Sequence, residues 1–306
     1  MFINSKNIST IELLPKRISV QRKAQACLLG LALLFGAGSC ADPIQQINLE
    51  DLIGIDEEDI DDETAWYAEN SEVYSPEELQ ICRETKAQLA ALGINSLNRF
   101  KTLSEAQYIV RQRQRLGNNA LDSSKPITVV LYAEHDPNGA FSWKWNSLGP
   151  ILAKANQQVL FFEVRNDTEC KAALRLLNDK LPVGQELVLI LGGHGQQDYL
   201  TWSMPRSVIE LDPLDYTDPG FKQLVQTLNI KLAIFESCKA GLGSGAEANQ
   251  ANRLAELIRI GGQVIAPLIS IYRAAYVYDD AEKIIDVVYD RGEAGITYRA
   301  EGKYRE

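Results

Sequence analysis

Five short apolar runs dominate the middle of this chain and set what it can fold into. They are ITVVLYA (127–133), QVLFFEV (158–164), ELVLILG (186–192), KLAIFES (231–237) and QVIAPLI (263–269). Stretches of helical character separate them, near 146–156, 168–180, 219–228 and 249–260. A strand that is apolar on nearly every position is buried on both faces, and strands joined through helices run parallel. The pattern predicts an α/β fold: a mostly parallel sheet with helices on both faces, occupying about 125–270. Two helices are expected before it. Ser75-Pro76-Glu77-Glu78 forms a capping box that starts a helix running to Gly93, and Ser104-Glu105-Ala106-Gln107 opens another that stops near Gly117. After residue 270 the apolar period shifts toward two (YVY, IIDVVY, GITYRA), which predicts a β-rich extension over 271–306. The folded body is therefore expected to span 76–306.

Charge divides the remainder. The formal net charge is -10, but residues 1–41 carry five bases (Lys6, Lys16, Arg17, Arg22, Lys23) against Glu12 alone. Residues 42–78 carry fourteen acids and no base, which leaves 79–306 neutral. A neutral body lacks the clustered Lys and Arg that phosphate binding needs, so nucleic acid is not an expected partner. Twelve of these charges fall within 40–75, and with few large apolar residues among them the segment cannot condense into a core and reads as an acidic, disordered tether. Its run Asp56-Glu57-Glu58-Asp59-Ile60-Asp61-Asp62-Glu63 lacks the sixth-position Gly and ligand spacing of a calcium loop. With two histidines and no CxxC spacing among five cysteines, neither a metal nor a cofactor is expected.

The N-terminus reads as an address. A basic stretch precedes the apolar ACLLGLALLFGA (26–37), too short to span a bilayer comfortably but suited to the core of a signal peptide. It ends in Ala37-Gly38-Ser39-Cys40, which resembles the lipobox of bacterial lipoproteins. That resemblance implies a signal peptide over 1–39 and lipid on Cys40. The body would then be held on the exported side of a membrane. Cys82 and Cys170 lie in amphipathic helical patterns and are expected as buried thiols, with a mutual disulfide as the alternative.

Ligands of parallel sheets bind beyond the carboxyl ends of the strands. The third run ends LILGGHGQQD and the fourth ends AIFESCKAGLGSG, so His194 and Cys238 stand at successive strand ends. A thiol becomes a nucleophile as thiolate, and a neighbouring base or cation lowers its free pKa of about 8.5. Small residues beside both positions let the backbone turn, and the N–H groups of Gly195 and Cys238 are candidate oxyanion donors.

These residues also carry a family resemblance. Gly193-His194-Gly195 after one apolar strand and Ser237-Cys238-Lys239-Ala240-Gly241 after the next resemble the caspase-like cysteine peptidases. That group includes caspases, metacaspases, legumains and CHAT domains. The continuation through Gly243 to Gly261-Gly262-Gln263-Val264-Ile265-Ala266 is most similar to CHAT and legumain-type bacterial members. The resemblance covers about 125–270 and implies a caspase-like sheet and cleavage of a protein or peptide substrate. Cys238 would be the nucleophile, His194 the general base and acid, and Gly195 an oxyanion donor. Glu236 occupies the position that in metacaspases lines the pocket for Lys or Arg before the scissile bond. Asp136 and Asp198, near other strand ends, are further candidates for that pocket acid. Lys239 departs from the family pattern. The competing readings are a catalytically inactive binding module of the same fold and a structural lipoprotein.

Overall fold

A computed structural model describes residues 75–95, 99–100, 102–134, 148–202, 213–243 and 248–290, together with the backbone of 295–299. The signal segment, Cys40 and nearly all of the acidic tether lie outside the described residues. Two helices open the body, α1 (Pro76–Ala91) and α2 (Leu103–Gly117). Ser75 caps α1 as expected: its Oγ accepts from the N–H of Glu78 at 3.3 Å while the Glu78 carboxylate accepts from its own N–H at 2.8 Å. For α2 the cap is Thr102 rather than Ser104. Its hydroxyl and the Glu105 carboxylate exchange the same two bonds, at 3.2 and 3.1 Å. A full negative charge in the first turn complements the helix dipole better than the neutral amide of Gln107, which favours the earlier start.

The sheet follows, built from β1 (Ile127–Ala133), β2 (Gln158–Val164), β3 (Glu186–Gly192), β6 (Asn229–Glu236) and β7 (Gln263–Pro267). Between β3 and β6 lies a small hairpin of β4 (His194–Gly195) and β5 (Leu200–Thr201). The five long strands are all parallel and stand in the order β2-β1-β3-β6-β7. Connecting helices are α3 (Leu148–Leu152), α4 (Asp167–Lys180), α5 (Pro219–Thr227) and α6 (Gln250–Leu257). The link through α3 moves toward one edge of the sheet and those through α4, α5 and α6 toward the other. Right-handed crossovers therefore put α3 on one face and the other three on the opposite face. In keeping with this, α4 packs on α5 and α5 on α6.

All seven residues of β1 and of β2 are buried. Burying each Leu, Ile, Val or Phe in such strands contributes about 1.5–3 kcal/mol. The C-terminal segment is β-structured: β8 (Ala274–Tyr278) and β9 (Ile284–Tyr289) form an antiparallel hairpin. The last strand, β10 (Gly295–Arg299), does not stay in a separate extension. It pairs antiparallel with β7 and becomes the edge of the main sheet, because β7 otherwise has a free backbone edge there. Cys82 and Cys170 are buried free thiols. Among the described residues no helix is long and apolar enough to cross a membrane.

One ion pair ties the segment before α2 to the sheet. Arg99 Nε donates to Glu163 Oε1 at 2.6 Å, with both side chains buried. The Arg99 guanidinium also donates to the carbonyls of Ala133 and Glu134, where β1 ends. Burial pushes the Glu163 carboxyl up, and the Arg99 charge and the N–H of Asn95 pull it back. Arg99→Met should cost about 3–5 kcal/mol in chemical denaturation, because it strands a buried carboxylate. Adding Glu163→Gln to that variant should recover part of the loss.

Candidate active site

The site begins with strand register. In the parallel pairing of β3 with β6, Gly192 stands opposite Glu236 as the last matched pair. His194 and Cys238 each lie two residues beyond that pair. Adjacent strands are about 4.8 Å apart, so the two residues leave one edge of the sheet side by side. Strand alternation gives them the phase of Gly192 and Glu236 and puts Gly195 and Ser237 in the opposite phase. Gly195 and Ser237 do meet: a Cβ on Gly195 would collide with Ser237 Oγ. Only glycine permits that approach.

Cys238 opens a tight turn. Lys239 adopts φ 55°, the left-handed region that swings the chain off the strand. The turn is pinned to the end of β7, with Lys239 N–H donating to Ile269 O at 3.2 Å and Gly241 N–H to Pro267 O at 2.9 Å. The Cys238 side is 9% exposed, and its Sγ lies 3.9 Å from Ile271 O.

His194 sits in β4, opposite Thr201 of β5, and is partly exposed. The hairpin closes through Gln196 N–H to Tyr199 O at 3.0 Å. Hydrogen-bonded and non-bonded pairs alternate in an antiparallel ladder, which makes Gly195 opposite Leu200 a non-bonded pair. Leu200 O indeed turns outward and accepts from Leu214 N–H at 2.9 Å. The N–H of Gly195 accordingly points away from β5. It is free of the ladder, as an oxyanion donor would have to be.

Glu236 stands at the end of β6, where the sequence places it, but it does not face a cleft. It is 6% exposed, and its two oxygens accept from the phenols of Tyr132 (2.5 Å) and Tyr276. Burial, reinforced by the Glu236 charge, holds the Tyr132 and Tyr276 hydroxyls far above the ordinary phenol range, so both remain donors. Tyr289 of the same hairpin donates to Phe235 O at 2.8 Å. This is the setting of a structural anchor. A carboxylate reading substrate needs an open face, and the hairpin closes this one.

Gly192 makes the anchor possible. It lies in register between Tyr132 and Glu236, and a Cβ there would collide with the Tyr132 ring. The ring lies over the gap and reaches across β3. Sequence reasoning missed both tyrosines. The signal was a phenol at the end of a fully apolar strand, since a buried hydroxyl needs a partner.

Of the other expected residues, Asp198 is exposed on the turn of the β4–β5 hairpin, whereas Asp136 lies outside the described residues. Among the described residues no group of His, Cys, Asp and Glu is gathered for a metal ion. The Ser237 hydroxyl is buried without a hydrogen-bond partner, beside Gly195.

Gly192→Ala should destabilise the protein by about 1–3 kcal/mol, the usual cost of overpacking. In a Tyr132→Ala background the same substitution should cost much less, because the colliding ring is gone. Urea titration of the four proteins checks this.

No protein-family model matches the chain, and no match is found among curated proteins.

Proposed function

We propose that this chain is a cysteine endopeptidase of the caspase-like group, working through Cys238 and His194. The observation that carries the reading is the Gly192–Glu236 register, from which both residues project by the same two positions. A parallel β2-β1-β3-β6-β7 sheet with an antiparallel edge is compatible with a caspase-like fold. In the proposed reaction the Cys238 thiolate attacks the scissile carbonyl carbon, and the oxyanion is met by the N–H groups of Gly195 and Cys238. Protonated His194 gives its proton to the leaving amine. Water, deprotonated by the same ring, then hydrolyses the thioester and restores the thiol.

A preference for Lys or Arg before the scissile bond draws no support from Glu236, whose oxygens are taken. Asp198, exposed on the turn beyond His194, and Asp136 are the carboxylates left for that role. The proposal extends to location: export on the signal segment, lipid on Cys40, and the acidic stretch as a spacer. Cys40→Ala should then abolish incorporation of labelled fatty acid, and unchanged labelling would remove the lipoprotein reading.

One observation favours the second reading, a binding module or scaffold of the same fold: Cys238 is buried, 9% exposed. Fluorogenic peptides differing only at the residue before the scissile bond separate the two. A peptidase should cleave them under reducing conditions. Cys238→Ala should abolish turnover, and His194→Ala should lower it by at least about a hundredfold. Reduced protein that cuts no peptide and whose Cys238 resists thiol reagents would leave the scaffold standing.

A further inference from the structure

We propose that Gln250 is a positioning residue that holds His194 against Cys238. The inference rests on the Cys238–His194 reading and deepens it. Gln250 is the first residue of α6 and is 0% exposed. Its side-chain amide is fully committed: Nε2 donates to the carbonyls of both Gln196 and Tyr199, and Oε1 accepts from Tyr216 at 3.3 Å. Its backbone N–H donates to Gln197 O at 3.1 Å. Arg253, one turn later, donates to Asp198 O at 3.1 Å. All four carbonyls of the turn 196–199 are therefore held by the start of α6.

The same helix start holds the nucleophile's loop. Ala251 N–H donates to Ala240 O at 3.2 Å, and Asn249 Nδ2 donates to Gly241 O at 3.4 Å. The first N–H groups of a helix have no partner within it. Here they are spent bridging two loops. His194 lies close to the turn, flanked by Gly193 and Gly195. A buried amide that donates to both Gln196 and Tyr199 pins the hairpin at its turn. Without it the His194 ring can swing relative to the sulfur, so the thiolate loses its stabilising imidazolium.

The test is the pH dependence of Cys238 alkylation by iodoacetamide in the reduced full-length protein, followed on the Cys238 peptide by mass spectrometry. The wild type should give an apparent thiol pKa below the ordinary value of about 8.5, and His194→Ala should return it there. Gln250→Met, which keeps the volume and loses the bonds, should move the profile most of the way to that of His194→Ala. Alkylation at pH 7 should fall by about tenfold, with a cooperative thermal transition retained. Gln250→Glu supplies a check should the Met variant fail to fold. An ionised carboxylate repels the two carbonyls, while a protonated one donates to one of them. Its rate relative to wild type should therefore rise as pH falls.

A Gln250→Met profile that overlays the wild type, with His194→Ala still distinct, would overturn the positioning role and leave the pair standing. A flat Gln250→Glu ratio would do the same. Coincident wild-type and His194→Ala profiles would sink the pair, and the inference with it.

Discussion

A carboxylate taken out of water must be met by donors or it costs the fold several kcal/mol, and much of the sheet's working edge is arranged around meeting one. Glu236 accepts from Tyr132, two strands away, and from Tyr276 on the β8–β9 hairpin. The first of these bonds is possible only because β3, lying between, contributes a glycine at the matched position. Three parallel strands and the C-terminal hairpin are thereby joined at one point. Two residues beyond that point stand His194 and Cys238. The strand ends that carry them follow directly on this buried carboxylate and its two phenol donors.

Similar devices recur along the same edge. Arg99 joins the end of β1 to Glu163 of β2, and the start of α6 takes up the carbonyls of both loops beside the candidate pair. Loops that leave a sheet cannot pair in its ladder, and each buried carbonyl left without a donor costs about 1–3 kcal/mol. Side chains and helix N–H groups supply those donors. The same bonds that satisfy the backbone also fix the geometry, which a site built on loops needs more than one built on strands.

Most of the architecture was legible in the sequence because its signals are local. A fully apolar run reads as a doubly buried strand wherever it sits, and five of them separated by helical stretches leave little choice but a parallel sheet. The Ser75 box marked α1 correctly. Thr102 displaced Ser104 as the cap of α2 because two boxes overlapped there, and the choice between them turned on charge at the third helical position. The period-two C-terminus was read as strands, yet nothing local says that β10 would complete the main sheet, since pairing with β7 is a contact between segments far apart in the chain.

The sequence by itself determined that His194 and Cys238 would stand at the carboxyl ends of successive parallel strands, because strand period and helix spacing are properties of short segments. It also placed Glu236 two residues before the cysteine. Only the tertiary structure decided what Glu236 does. Its fate depended on Tyr132, 104 residues away, and Tyr276, 40 residues away, neither detectable from the residues beside it. The same holds for Gln250, whose four partners lie on two separate loops. Hydrogen-bond satisfaction of a buried polar group is settled by whichever donors the fold brings within about 3 Å, and that proximity is made by packing rather than by neighbours in the chain.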